Sequence, residues 1–268
     1  MTPQDHEAAA EALFQAEATG RQIGLLSLAH PGMTLDDAYA VQAALVQRKK
    51  AAGRRVIGWK IGLTSRAMQD ALKIDTPDSG VLFDDMLFED GAEIPAGRFI
   101  QPRIEAEIAF LLKSPLRGEG ITRAQVLAAT EAVAPALEIL DTRILRADPA
   151  SGKPRVVTDT ISDNAANAGI VLGAQRHAPD ALDLRWAGAI LKRDGVVEET
   201  GLGAGVLDDP VTGIVWLVER LARYGQGLAA GEVVLSGSFI RPVEAPPGSV
   251  FDADFGSFGR VRTTFAQG

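Results

Sequence analysis

Apolar and polar positions alternate with two different periods along this chain, and the change falls near residue 54. Before it the spacing is helical. Ala8, Ala9, Leu13 and Phe14 recur on one face, and Gly20 can stop that helix. Thr34 in TLDD is a natural N-cap with acids in the first turn, followed by Ala38, Val41, Leu45 and Val46 at helical spacing up to about Gly53. After it the pattern turns β-branched and glycine-punctuated. RVIGWKIG, GVLFDDMLFEDG, GAEIP, FIQPRIEAEIAFLL, APALEILDTRI and NAGIVLG all read as strands or strand–turn units. LRWAGAILKRDGVVEETG reads as a hairpin turned at Asp194-Gly195. GEVVLSGSFIRPV and SVFDADFGSFGRVRTTF close the chain as strands. Three helices interrupt this β-rich part. They are a short one in SRAMQDAL, one in TRAQVLAATEAV capped by Thr122 with Gln125 at the capping-box position, and DDPVTGIVWLVERLARYG with Pro210 near its start. RADPASGKPRVVTD, residues 146–159, is the longest loop expected. Helices first and strands afterwards make an α+β protein, with a helical N-terminal region over residues 1–70 and a β-rich catalytic domain over residues 71–268.

Composition narrows the function more than the fold. Of 268 residues, 46% are hydrophobic, which suffices for a packed core. The net charge of −8 disfavours nucleic acid as a partner. No cysteine is present, which excludes disulfides, thiolate metal sites and a cysteine nucleophile and fits a reducing cytoplasm. No apolar run is long enough to span a membrane, and the acidic start MTPQDHEAAAEALFQ does not resemble a signal peptide.

The chemistry concentrates in acidic residues set into apolar strands. In PRIEAEIAFLL, Glu105 and Glu107 share one face, about 6–7 Å apart along the backbone, while Ile104, Ala106, Ile108 and Phe110 fill the other. Enclosed together at an effective dielectric near 20, two such charges repel by roughly 2–3 kcal/mol. The pair therefore needs a cation if enclosed and none if it is the solvated face of an edge strand. Glu138, in PALEILD, supplies a third carboxylate if the two strands are neighbours. An all-oxygen set of this kind suits Mg²⁺ or Mn²⁺.

Lys60 lies between Trp59 and Ile61. It is either a lysine snorkelling to water or a buried one with a lowered pKa fit for proton transfer. Asp78 in TPDSG reads first as a turn residue. DTISDNAANAG, with Ser162, is either a ligand loop or a capped turn. GLGAGVL lacks the strand–helix frame of a dinucleotide site. His6, His30 and His177 are far apart, with no metal or triad spacing.

Five stretches in order, GWKIGLTSRAMQ, PDSGVLFDDM, IQPRIEAEIAFLL, PALEILDTRI and DTISDNAANAGIVLG, resemble the hydratase/decarboxylase branch of the fumarylacetoacetate hydrolase superfamily, from about Thr34 to the C-terminus. The resemblance implies a helical N-terminal region on a mixed β-sandwich or open-barrel body. It implies Glu105, Glu107 and Glu138 as ligands of Mg²⁺ or Mn²⁺, Lys60 and Asp78 as acid/base residues, and Ser162 in the loop that holds the substrate carboxylate. It implies a lyase of aromatic-compound catabolism that acts on a small 2-oxo or 2-hydroxy dienoic acid, in a cytoplasmic homo-oligomer. Hydration is the activity expected, and DTISDNAANAG with the insert before it points to a seven-carbon dioate. Decarboxylation of a 2-oxo-enedioate is the sister activity, and a non-catalytic scaffold of the same fold is the remaining alternative. The distal carboxylate of a dioate needs a cation. Arg103, on the face of Glu105 and Glu107, is the substrate-binding candidate, and Arg143, which follows Glu138 closely, is the other; each could instead be a structural ion-pair partner.

Overall fold

A computed structural model describes residues 1–66, 69–70, 74 and 76–268. The short helix expected in SRAMQDAL falls partly outside the described residues; within them Arg66, Gln69 and Asp70 are helical.

The N-terminal helices follow the sequence pattern. Helix α1 (Pro3–Thr19) starts at a Thr2–Asp5 capping box and ends at Gly20, whose φ of 68° only glycine adopts freely. After the single turn α2 (Leu26–Ala29), helix α3 (Leu35–Ala51) starts at the Thr34–Asp37 capping box and ends on Arg48, Lys49 and Lys50, which suit the negative end of its dipole. Leu13, Val41 and Leu45 pack α1 on α3 in a small core of their own.

The strands are β1 (Val56–Gly62), β2 (Asp78–Phe83), β3 (Leu87–Glu89), β4 (Glu93–Ile94), β5 (Arg103–Leu112), β6 (Leu116–Arg117), β7 (Thr130–Leu140), β8 (Asn167–Leu172), β9 (Gly188–Arg193), β10 (Val196–Leu202), β11 (Gly227–Leu228), β12 (Val233–Leu235), β13 (Val243–Glu244), β14 (Val250–Asp254) and β15 (Arg260–Phe265). Among the described residues they form an eight-stranded sheet, ordered β2-β1-β12-β5-β7-β8-β3 with β13 on β5, a five-stranded sheet β10-β9-β14-β15-β4 and a β11–β6 pair. Strand β1, in the main sheet, lies N-terminal to the boundary at residue 70 drawn from the sequence. Helices α4 (Arg123–Ala129), α5 (Val157–Ser162) and α6 (Pro210–Ala222) complete the fold.

The main sheet has two unlike faces. One buries Ile104, Ala106, Ile108 and Phe110 of β5 with Leu137 and Ile139 of β7, against α6 and the five-stranded sheet. The other carries Ala109, Ala136, Leu235 and Leu82 and, toward one end, the acidic residues. The sheet curls until β2 meets the start of β8. There Asn164 replaces a ladder partner. Its Oδ1 accepts from Val81 N at 2.8 Å, and its Nδ2 donates to Val81 O at 2.9 Å. Asn167 Nδ2 donates to the same carbonyl at 3.1 Å. Edge groups that would otherwise be open are satisfied by side-chain amides. The geometry requires Asn164, Ala165 and Ala166 at φ of 53°, 52° and 57°, a left-handed run that costs about 1–2 kcal/mol per non-glycine residue.

Two expectations are corrected. TRAQVLAATEAV is helical only to Ala129; from Thr130 the chain pairs with β5, because a central-strand register outweighs the local helix propensity of its alanines. Residues 146–155 are not an open loop. An Ala147–Pro154 bridge and the bonds Asp148 N to Lys153 O and Arg155 N to Arg146 O, both 2.9 Å, fold them into a short hairpin. No helix among the described residues is long and apolar enough to cross a membrane.

Candidate active site

Period two and strand register assemble the site. Glu105 lies directly opposite Glu138, and Glu107 opposite Ala136, so all three carboxylates leave the same face of neighbouring strands. Their oxygens come within 4.8 Å of one another. Lys60 pairs in register with Leu235 and Gly80, and Gly62 with Asp78, which brings Lys60 and Asp78 onto the same face from β1 and β2. Lys60, Asp78, Glu107 and Glu138 are all at least 97% buried, and Glu105 is half-buried.

The acidic oxygens are underserved. Glu107 Oε2 accepts from Gly237 N at 2.8 Å, but Glu107 Oε1 and both oxygens of Glu138 have no hydrogen-bond donor. Lys60 Nζ stands 3.5 Å from Glu138 Oε1, an ion pair at the long end of its range. Buried acceptors facing one another without donors are unfavourable unless a cation joins them. Three carboxylates with free oxygens form a hard-oxygen donor set that fits Mg²⁺ or Mn²⁺.

The electrostatics agree with the geometry. Burial raises the pKa of all three glutamates. The charge of Glu138 adds to it at Glu105, pushed up to about 8, and at Glu107, held well above the carboxylate range. Lys60 opposes the rise at each. Asp78 is also raised by burial, against the pull of Lys60, Arg220 and Arg155. At Lys60 the balance reverses the sequence expectation. Burial alone would lower its pKa, but Glu138, then Asp78, Glu105 and Glu107, outweigh that and hold it above the ordinary lysine value.

The other candidates are engaged elsewhere. Arg103 Nε donates to Glu244 Oε1 at 2.6 Å, a carboxylate that Arg146 shares. Arg143, 2% exposed, is sealed against Asp163, with Nε to Oδ1 at 2.5 Å. Ser162 lies in α5 instead of a loop, and its hydroxyl donates to Thr158 O at 2.8 Å. None of the three is brought to the carboxylates as a free donor. His6, His30 and His177 stay apart. His6 meets Asp37 and His177 meets Phe258 O. GLGAGVL is the end of β10 followed by a 3₁₀ turn over Gly203–Gly205.

Residues the sequence reading passed over do position the site. Gln42 Nε2 donates to Ser79 O at 2.8 Å and to Ile161 O at 3.0 Å, which ties α3 to β2 and to α5. Gly62 leaves room that a side chain would fill. A Cβ there would lie 2.3 Å from Asp78 Oδ1 and 2.8 Å from Lys60 Nζ. Its only sequence signal is two-residue spacing from Lys60. Gly62→Ala is therefore expected to displace Lys60 and Asp78 and to lower kcat by about 10²-fold, the scale of acid–base catalysis. The Mg²⁺ affinity should stay near that of the wild type, because the triad lies on other strands. Calorimetric Mg²⁺ titration beside initial rates checks this, and an alanine variant with full kcat would refute it.

Comparison with known proteins agrees with the fold. No family model matches the chain. It is 51% identical over 260 residues to 2-oxo-hept-4-ene-1,7-dioate hydratase from Escherichia coli, covering 97% of each. The 4-oxalocrotonate decarboxylase from Pseudomonas putida G7, solved with magnesium and adipate, superposes with a TM-score of 0.92 at 32% identity, over 99% of this chain and 98% of that one. The fumarylpyruvate hydrolase from Pseudomonas aeruginosa, solved with Mn²⁺ and pyruvate, shares the fold at a TM-score of 0.60 and 15% identity, over 80% of this chain and 90% of that one. The curled sheet with its acidic end is the fold of the fumarylacetoacetate hydrolase superfamily. Within it, the chain belongs to the hydratase/decarboxylase branch.

Proposed function

We propose that the protein is a metal-dependent hydro-lyase that converts 2-oxo-hept-4-ene-1,7-dioate, through its 2-hydroxy-dienoate tautomer, to 4-hydroxy-2-oxoheptane-1,7-dioate in aromatic-compound breakdown. The carrying observation is the convergence of Glu105, Glu107, Glu138, Lys60 and Asp78 on one enclosed face. The 51% identity to a hydratase of that name supports this substrate over the decarboxylase alternative. In this reading Glu105, Glu107 and Glu138 hold Mg²⁺ or Mn²⁺. Such an ion, when bound, would supply Lewis-acid stabilisation of the negative charge that develops on the substrate's oxygens.

The chain's own groups move the protons. The C2 hydroxyl loses one and C5 gains one, which leaves a double bond between C3 and C4 conjugated to the C2 carbonyl. Water then adds, its oxygen to C4 and its proton to C3. Lys60 and Asp78, adjacent above Gly62 and shielded from solvent, are the two groups set to relay these protons. Positive charge among the carboxylates would relieve their hold on Lys60 and bring its pKa down toward a range useful for transfer. The Ser162 hydroxyl donates to Thr158 O and Arg103 Nε to Glu244, so this reading counts neither Ser162 as a ligand of the C1 carboxylate nor Arg103 as the partner of the distal one. Exposed Ile190, Val196 and Val197 on β9 and β10, with Trp186 before them, support association with further copies of the chain.

The test is direct. The purified protein with Mg²⁺ and 2-hydroxyhepta-2,4-diene-1,7-dioate in ¹⁸O-labelled water should give the 4-hydroxy product labelled at C4. CO₂ release from 2-oxo-3-hexenedioate without hydration of the seven-carbon substrate would favour the decarboxylase. Turnover of neither would favour a scaffold.

A further inference from the structure

A seven-carbon dioate carries a second carboxylate at C7. A carboxylate leaving water for an enclosed site needs a cation with donors to spare. The arginines of this end of the fold differ in whether a carboxylate already neutralises them. Arg103 and Arg146 share Glu244, and Arg143 is closed on Asp163. Arg220 has no carboxylate partner among the described residues, but its guanidinium is engaged over Tyr39, 3.5 Å from the ring centroid, with Tyr224 beside it at 5.3 Å.

Arg155 is placed otherwise. It is half-buried, and among the described residues its side chain makes one hydrogen bond, from Nη1 to Thr142 Oγ1 at 2.6 Å. Thr142 gives its own proton to Ile144 O, so it faces Arg155 as an acceptor and sets the guanidinium's orientation. Nε and Nη2 keep their protons unassigned, and no carboxylate among the described residues comes within ion-pair distance.

The backbone holds this side chain firmly. Arg155 closes the 146–155 hairpin through its N–H to Arg146 O, and α5 starts two residues later. Helix α5 is tied to β2 through Gln42, which bonds both Ile161 O and Ser79 O, the carbonyl next to Asp78. Burial and the like charges of Arg143, Arg146 and Arg103 lower the pKa of Arg155, against the pull of Asp163, and an added anion would relieve that crowding. Thr142, which Arg155 engages, follows Glu138 by four residues, just past the end of β7 where Leu140 pairs with Arg103, so the guanidinium stands at the acidic end of the sheet.

We propose that Arg155 binds the substrate's distal carboxylate through its free Nε–H and Nη2–H and so selects dicarboxylic over monocarboxylic dienoates. This rests on the substrate reading above. Arg155 is a specificity residue of the same site, contributed by the hairpin that joins β7 to α5.

The experiment compares 2-hydroxyhepta-2,4-diene-1,7-dioate with the five-carbon monoacid 2-hydroxypenta-2,4-dienoate on wild type, Arg155→Gln, Arg155→Lys and Arg220→Gln, all loaded with Mg²⁺. The ratio of kcat/KM for the dioate over the monoacid should fall about 10²-fold in Arg155→Gln, mainly through KM, since truncating one side of an enclosed charge pair has that scale. Lysine should restore part of the ratio. Equal losses on both substrates, an unchanged ratio, or a fall confined to Arg220→Gln would overturn the assignment. If wild type hydrates only the monoacid, the substrate reading fails by itself. Calorimetric binding of 2-oxoheptane-1,7-dioate against 2-oxopentanoate then decides the role of Arg155. Lost dioate preference in Arg155→Gln supports it, and equal preference in wild type and variant overturns it.

Discussion

Replacing Glu107 by glutamine is expected to abolish metal binding and turnover while leaving the metal-free protein at least as stable as the wild type. The side chain is fully buried, its Oε2 accepts from Gly237 N, and its Oε1 has no donor. Glutamine keeps the volume and can still accept from Gly237 through its amide oxygen. What it removes is the ability to ionise, which burial and Glu138 already disfavour at Glu107 in the metal-free protein, so that state loses nothing by the change. The same removal takes away a ligand. Wild type at a Mg²⁺ concentration 100 times its Kd should gain about 2.7 kcal/mol of stability from binding. The variant should gain almost nothing. Thermal unfolding with and without Mg²⁺, beside initial rates, reads both effects. Full turnover by Glu107→Gln in chelator-treated buffer would remove the carboxylates from the metal assignment.

Lys60→Met should separate chemistry from metal binding in the opposite sense. Methionine nearly fills the volume of a lysine that is 3% exposed, but it carries no proton. If Lys60 relays protons, kcat should fall by at least about 10²-fold. Mg²⁺ affinity should hold or tighten, because a cation 3.5 Å from Glu138 no longer competes for its charge. The metal-free variant should be less stable, since a buried ion pair has lost one partner. A variant with normal turnover and collapsed Mg²⁺ binding would make Lys60 a structural counter-charge only.

What could be read from residues alone was whatever depends on period. Two-residue spacing put Glu105 and Glu107 on one face without knowledge of the fold, and N-caps at Thr34 and Thr122 marked helix starts. What could not be read depends on partners distant in sequence. The opposition of Glu105 and Glu138 is a register between strands, and nothing local announces it. Asp78 sits among proline and glycine, which signal a turn, yet it opens β2 because Gly62 pairs with it across the ladder. Arg103 and Arg143 have the right charge for a dioate, but their carboxylate partners, Glu244 and Asp163, are 141 and 20 residues away. The alanines of β7 favour helix locally and were outweighed by pairing along an eleven-residue strand.

The seam between β2 and β8 has a kinetic consequence. The turn that fastens β2 to β8 is continuous with α5, since the chain that forms α5 continues directly into the Asn164–Ala166 turn. The amide proton of Val81 is held by a side chain, Asn164 Oδ1, and not by a neighbouring strand. Any opening that lifts this segment from β2 beside Asp78 must release that proton first. Its exchange with solvent deuterium therefore times the opening, while the strand amides of β5 and β7 stay locked until the whole domain unfolds. One backbone position, Val81, three residues beyond the proposed catalytic aspartate Asp78, thus serves as a built-in clock for release of the segment beside the site.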